Sequence, residues 1–428
     1  MMEKRNFLNL SRVFSSASGD LFNGFFTSGK KWKFDKASLV DNRARRIFDL
    51  AKRACEHNVY PYQLPLEGRS GPWVQAEGSR MLMLSSYDYL GLIGDERINN
   101  AAIAAIQKYG TGTGGVRLLT GTIDLHHQVE REIAAFKGTA AAITFSSGYL
   151  ANLAVLSALL SPQDRVLLDS LSHRSLVDAC RLSGVTIRRF QHNDPVSLRH
   201  ELESDPHTGR TLIIADGVFS MDGDICHLPD LIALKKEFNC YLMIDEAHAT
   251  GVLGAHGRGT DEHFGIAATD VDIWTGSLAK AIPSNGGFVA TTEEIGVYLQ
   301  HAAAPFIFSA ALSPSAIAAA SATISILKAE PERVVRLKQN ADFLRNGLTE
   351  LGYDVGLSET PIIPVIFGDE APAALCAGRL RENDVVVTPV LFPAVPQGAA
   401  RLRICVTAAH TTEDLQFALD TFKRTRKS

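Results

Sequence analysis

Tyr241-Leu-Met-Ile-Asp-Glu-Ala-His-Ala-Thr-Gly251 decides how this chain is read, together with Lys280 in Thr275-Gly-Ser-Leu-Ala-Lys-Ala281. A short apolar run that ends in Asp245 and then meets polar residues and a glycine has the pattern of a buried parallel strand delivering a carboxylate to the carboxyl edge of a sheet. The run Val271-Asp-Ile-Trp-Thr275 reads as a neighbouring strand, and Lys280 follows it on a Gly/Ser/Ala turn small enough for close approach. An acid and an amine facing one pocket suit pyridoxal 5'-phosphate. That cofactor needs a lysine for its Schiff base and an acid partner that keeps its pyridine nitrogen protonated.

The chain has 428 residues, enough for one large domain and one smaller one. A charged fraction of 21% and a hydrophobic fraction of 46% are those of an ordinary globular protein, and a net charge of −4 offers no field for nucleic acid. The six cysteines are scattered, without the spacing of a zinc site or a disulfide framework, so no metal is expected and a reducing cytoplasm fits. Met1 to Ser18 lacks the apolar core of a signal peptide. Ala310 to Leu327, the most apolar helical stretch, is broken by Ser and Pro; it reads as a core or interface helix, and no transmembrane span is expected.

Along the chain, residues 1–95 read as an extension, an amphipathic helix from Asp41 to His57 and a hairpin between Trp73 and Leu84, followed by the aromatic loop Ser85–Leu92. Residues 96–305 alternate apolar runs with helical stretches at the interval of βαβ units, which implies a mostly parallel α/β sheet. The strands fall near 143–145, 166–169, 185–190, 211–215 and the two runs above. Residues 306–428 read as a smaller α+β domain, with helices at 316–327 and 332–351 and strands at 362–367 and 399–406.

With these pieces in order, the chain resembles the α-oxoamine synthases, pyridoxal-phosphate enzymes of the aminotransferase-like fold (fold type I). The resemblance runs from about Trp73 to Leu415. Its motifs are Ser86-Tyr-Asp-Tyr-Leu-Gly91, Gly114-Gly-Val-Arg-Leu-Leu-Thr-Gly121, Ser147-Gly-Tyr-Leu-Ala-Asn152, Ser172-His-Arg-Ser175, Gly217-Val-Phe-Ser-Met-Asp-Gly-Asp224, Asp245–Gly251, Gly257-Arg-Gly259, the Lys280 segment and Arg401-Leu-Arg-Ile-Cys-Val-Thr-Ala-Ala-His410.

The resemblance implies that Lys280 carries the cofactor, Asp245 holds the pyridine nitrogen, His173 stacks on the ring and His248 hydrogen-bonds the phenolic oxygen. It also places Ser147, Gly148, Tyr149 and Asn152 at the cofactor. Gly148 and Tyr149 open a helix whose N–H groups suit a phosphate, and Ser277 matches the hydroxyl aimed at the same group. Arg403 matches the arginine that binds the amino-acid carboxylate. Arg401, two residues away, would face the same side, and only the resemblance separates the two. Ser309 matches a hydroxyl that reaches the phosphate from the partner subunit, which implies a homodimer with a shared active site.

The implied reaction is a decarboxylative condensation. Glycine, alanine or serine attacks an acyl thioester of coenzyme A or an acyl carrier protein, giving an α-amino ketone, CO2 and free thiol. Lys280 is then the base for the α-proton, and His173 is placed to hydrogen-bond the incoming carbonyl. Phe306, Phe308, Leu391 and Phe392 leave room for a long acyl chain. Two positions depart from the family pattern: Pro283 replaces a small residue after the lysine, and Val116 stands where Ser or Thr is usual.

Two other readings share these letters. An aminotransferase would keep Lys280 and Asp245 but exchange amino groups with a 2-oxo acid. Asp245-Glu-Ala-His248 also spells the metal-binding box of a helicase-type NTPase. Its phosphate loop would be Gly24-Phe-Phe-Thr-Ser-Gly-Lys-Lys31, where Lys31 occupies the place of the Mg²⁺-binding hydroxyl.

Overall fold

A computed structural model describes residues 39–40, 42–56, 60–204 and 207–426; the Gly24–Lys31 stretch and most of the amino-terminal extension lie outside the described residues. The hairpin is β1 (Trp73–Ala76) and β2 (Ser79–Met83). A seven-stranded sheet follows, made of β3 (Ala141–Phe145), β4 (Arg165–Asp169), β5 (Thr186–Phe190), β6 (Thr211–Asp216), β7 (Tyr241–Asp245), β8 (Ile273–Ala279) and β9 (Pro283–Thr291). Its order is β3-β9-β8-β7-β6-β4-β5, with β9 antiparallel to both neighbours and the other pairings parallel.

Val166-Leu-Leu168, Leu212-Ile-Ile-Ala215 and Leu242-Met-Ile244 are buried on both faces of this sheet. Each Leu, Ile, Val or Met so covered contributes about 1.5–3 kcal/mol of transfer free energy. Three of these strands, β4, β6 and β7, end in an aspartate, at 169, 216 and 245, and Lys280 follows β8. A parallel sheet gathers those ends along one edge, which is where ligands bind in such folds.

β9 is the strand of the large sheet that the sequence reading does not contain. It pairs Gly287 with both Ser277 and Phe145. A Cβ at Gly287 would stand 2.4 Å from the Gly148 nitrogen, so glycine there lets the Gly148–Leu159 helix bring its amino terminus onto the sheet edge. Pro283 opens β9 opposite Ala279, and the register shift between Ser277 and Ala279 sets Lys280 on the connection between the two strands.

The smaller part holds β10 (Ile362–Gly368), β11 (Val385–Val386), β12 (Thr388–Val390) and β13 (Ala400–Cys405), with β10 and β12 flanking β13 antiparallel. β11 adds in parallel to β2, pairing Val385 with Leu82. Packing therefore divides the chain differently from 1–95, 96–305 and 306–428. Leu82 and Leu84 share a core with Leu402, Ile404 and Phe422, so the hairpin belongs with the carboxyl-terminal part. The Pro314–Ala329 helix instead lays Ile317, Ala320, Ile324 and Leu327 into the core of the large sheet. Its apolar residues run around most of the helix, so it needs cover from the larger body. No helix among the described residues is long and apolar enough to cross a membrane.

Candidate active site

Asp245 leaves the end of β7 buried, and its two oxygens are held from different directions. Asn152 Nδ2 donates to Oδ2 at 2.7 Å and the Ala247 N–H donates to Oδ1 at 2.9 Å. Asn152 is in turn fixed by Thr275 Oγ1, which donates to its Oδ1 at 2.7 Å, while its Nδ2 also reaches Ser175 Oγ at 2.9 Å. Ser175 lies 2.7 Å from His173 Nδ1, so the acid and the expected ring-stacking histidine share one hydrogen-bonded chain. His173 caps the Arg174–Ser183 helix, and burial pushes its pKa down.

The Lys280 amine is 3.0 Å from His248 Nε2, and His248 Nδ1 is 2.8 Å from the Tyr89 hydroxyl. Burial first, with the Arg403 charge opposing the attraction of Asp245, pushes Lys280 down to about 8. Burial, then the Lys280 charge, holds His248 well below the ordinary imidazole range, so that it is neutral. The turn bearing His248 rests on Glu246, wholly buried. Glu246 accepts from Lys137 Nζ at 3.2 Å and from the Thr260 side chain and N–H, and Lys137 also reaches Asp261.

The opposite wall comes from the small part. Arg403 on β13 is buried, stacks 4.7 Å over the Tyr87 ring and donates through Nε to the Ser220 carbonyl; its Nη2 is buried without a hydrogen-bond partner. Arg401 is already occupied: its Nη1 binds the Asp222 carboxylate and the Met221 carbonyl, and its Nε the Ala399 carbonyl. An unpaired buried guanidinium N–H is costly unless a ligand meets it, and a carboxylate fits that fork. Arg401 is thus engaged within the protein, whereas Arg403 keeps a buried Nη2 without a partner.

At the other end of the crevice, Ser147 caps the Gly148–Leu159 helix, its hydroxyl accepting from the Leu150 N–H at 3.1 Å. Gly148 abuts Gly276 and Ser277, where an added Cβ would stand 3.3 Å from the Gly276 carbonyl. Tyr149 is half-exposed and donates to Asp178 at 2.8 Å. Ser309 lies 3.0 Å from Ser146 Oγ of the same chain, next to this helix start. Pyridoxal phosphate fits the set: an amine, a buried carboxylate held by an amide, a neutral histidine, and a glycine-bared helix amino terminus with hydroxyls beside it for an anion.

Comparison with known proteins gives the same frame. The family model described as aminotransferase class I and II matches residues 79–422. An 8-amino-7-oxononanoate synthase of Lysinibacillus sphaericus is 46% identical over 354 residues, covering 83% of this chain and 91% of that protein. The chain belongs to the α-oxoamine synthases. A serine palmitoyltransferase of Sphingomonas wittichii superposes with a TM-score of 0.88 at 32% identity, covering 91% of this chain and 98% of that one. A high-resolution structure of a serine palmitoyltransferase with PLP has the same score, identity and coverage. The fold is therefore PLP fold type I and the cofactor is pyridoxal phosphate, with the chemistry of a C-acyltransferase.

Several residues of this α-oxoamine synthase site were not singled out from the sequence. Tyr89 lay inside a quoted motif without a role, and its neighbour Asp88 caps that loop by accepting from the Leu92 and Ile93 N–H groups. Asp216 ends an apolar run just as Asp245 does, and the register pairs the two. Burial, then the Asp245 charge, push Asp216 well above the ordinary carboxylate range. Asp222 sat inside a quoted motif without a role. Its role depends on Arg401, about 180 residues away in the chain. Val116 forms a bridge with Ala310, and the adjacent Arg117 is buried against Glu130 at 2.7 Å, so this departure falls on a structural contact.

Proposed function

We propose that this enzyme condenses alanine with a seven-carbon dicarboxylic acyl thioester, giving 8-amino-7-oxononanoate, CO2 and free thiol. The 46% identity to a protein of that name carries the reading. The product's name states the rest: the amino group on carbon 8 with a terminal methyl is what alanine leaves after losing its carboxyl, and carbons 1 to 7 are the acyl part.

The bound cofactor supplies the electron sink for the amino acid's α-carbon. Lys280 is its covalent anchor and, with a pKa pushed down to about 8 by burial, a base able to take the α-proton at Nζ near neutral pH. His248 fixes the direction of that amine and the Tyr89 hydroxyl fixes His248. Asp245, held by Asn152, would be the acid that keeps the ring nitrogen protonated, and His173 would stack on the ring. Ser147, Gly148, Tyr149 and Ser277 form the phosphate end. Arg403 offers its unpaired Nη2 to the alanine carboxylate. A carbon–carbon bond forms between the α-carbon and the acyl carbonyl carbon as the thiolate leaves. The amino-acid carboxyl then departs as CO2 and a proton takes its place.

The reading includes a homodimer in which Ser309 meets the partner's phosphate end. It is supported by Phe308, 81% exposed, and Leu119, 76% exposed, on the chain either side of the Val116–Ala310 bridge. The thiol carrier is coenzyme A or an acyl carrier protein. The five described cysteines, all free, suit a reducing cytoplasm.

The test is a paired thiol titration and ¹⁴CO2 trap with carboxyl-labelled alanine, glycine and serine and the seven-carbon thioester on coenzyme A or carrier protein. Alanine should release label and thiol in equal amounts. Label released from glycine or serine but not alanine would reassign the substrate; no label from any, with a 2-oxo acid readily aminated, would make it an aminotransferase.

A further inference from the structure

Outside the residues assigned so far, one charged cluster touches both walls of the crevice. His192 Nδ1 lies 3.0 Å from Asp169 Oδ1, and its Nε2 lies 3.0 Å from Asp224 Oδ2. Asp169 and Asp224 are buried, and both ring nitrogens can donate only in the imidazolium form. The Phe219 ring meets the imidazole edge-on at 4.3 Å, and Asn193 Nδ2 adds a 3.0 Å bond to Asp224.

Each carboxylate leads to a different wall. Asp169 ends β4 and accepts from the Leu171 N–H at 2.8 Å, with the Ser172 N–H on its carbonyl at 3.1 Å. It thus shapes the turn that presents His173. Asp224 closes the arch 217–225, where the Phe219 N–H binds the Asp224 carbonyl at 3.0 Å and the Gly223 N–H binds the Phe219 carbonyl at 2.8 Å. The crown of that arch carries the Ser220 carbonyl that receives Arg403 Nε, and the Asp222 carboxylate that receives Arg401.

We propose that His192 is a positioning residue: by bridging Asp169 and Asp224 it holds the His173 turn and the arginine-bearing arch at one spacing, and so sets the place of Arg403 for the amino-acid carboxylate. This rests on the assignment of that carboxylate to Arg403. Burial of the imidazole works against its charge, but the two carboxylates outweigh it and lift its pKa to about 10, so the bridge is intact at neutral pH. The groups facing the ring are Asp169, Asp224, Asn193 and Phe219. A glutamine amide carries both its donor hydrogens on one nitrogen, so when that nitrogen meets one carboxylate its carbonyl oxygen faces the other.

The test uses the holoenzyme with His192→Gln and, separately, Asp224→Asn. Amino-acid dissociation constants are read from the change in cofactor absorbance on titration, a readout that needs no acyl transfer, and KM values for amino acid and thioester are compared with kcat. Each variant should weaken amino-acid binding about tenfold and leave the thioester KM within about twofold. In an Arg403→Lys background the added effect of His192→Gln should fall to about twofold or less, because both act through one contact. Amino-acid affinity unchanged in a folded, cofactor-loaded variant, or losses that multiply independently of Arg403, would overturn the proposal. If His192→Gln does not fold, Asp224→Asn decides by the same numbers. A wild type that binds alanine without releasing thiol would sink the proposed reaction and leave this inference readable.

Discussion

Lys280 owes its chemistry to where its amine ends. Burial takes the ammonium out of water and pushes the group from 10.5 down to about 8, while Asp245 and Asp216 pull the other way. The neutral amine is the nucleophile, so the sign is fixed: below about pH 8 each unit of acid removes roughly tenfold of the reactive form. Capture of pyridoxal phosphate by the cofactor-free protein, followed by absorbance, should therefore speed up with pH and level off above about 8. A rate still climbing steeply toward pH 10 would mean the lysine titrates as an ordinary one. That Lys280, Asp245, His173 and His248 would gather at one sheet edge was legible, because each follows an apolar run or sits in a family motif. The choice between Arg401 and Arg403 was not legible, since it depends on Asp222 and Ser220 arriving from another element.

The elements around the site show the same division. β7 and the first half of β8 were readable as apolar runs. β9 was not, because Gly286, Gly287 and Pro283 read as turn residues until Ser277 and Phe145 are seen opposite. The turn after β7 depends on a buried triad with no local signature: Lys137, from the Asp124–Lys137 helix, meets Glu246 and Asp261 and lies 3.6 Å over the Trp274 ring. Lys137→Met keeps the volume and strands two carboxylates against each other. Breaking a buried pair in this way costs about 3–5 kcal/mol, to be read as a lower denaturant midpoint at unchanged slope. A variant as stable as wild type would show the triad to be replaceable packing.

At the scale of the whole molecule, the proposed homodimer would give the exposed Phe308 and Leu119 a surface to meet. Light scattering should return twice the 46.4 kDa of one chain, and a monomer retaining full activity would remove Ser309 from the site. The large sheet was readable in outline because its strands and helices alternate in order. The division into parts was not, since the hairpin's partner β11 lies about 300 residues downstream. That pairing also bears on how the protein is made. At roughly 5–20 residues per second, β2 leaves the ribosome about 15–60 s before β11 does. Through that interval Leu82 and Leu84 have none of the late-made Leu402, Ile404 or Phe422 to cover them. The nascent chain presents an open strand edge with an apolar face, and its yield in a cell depends on what shields that edge until the last residues emerge.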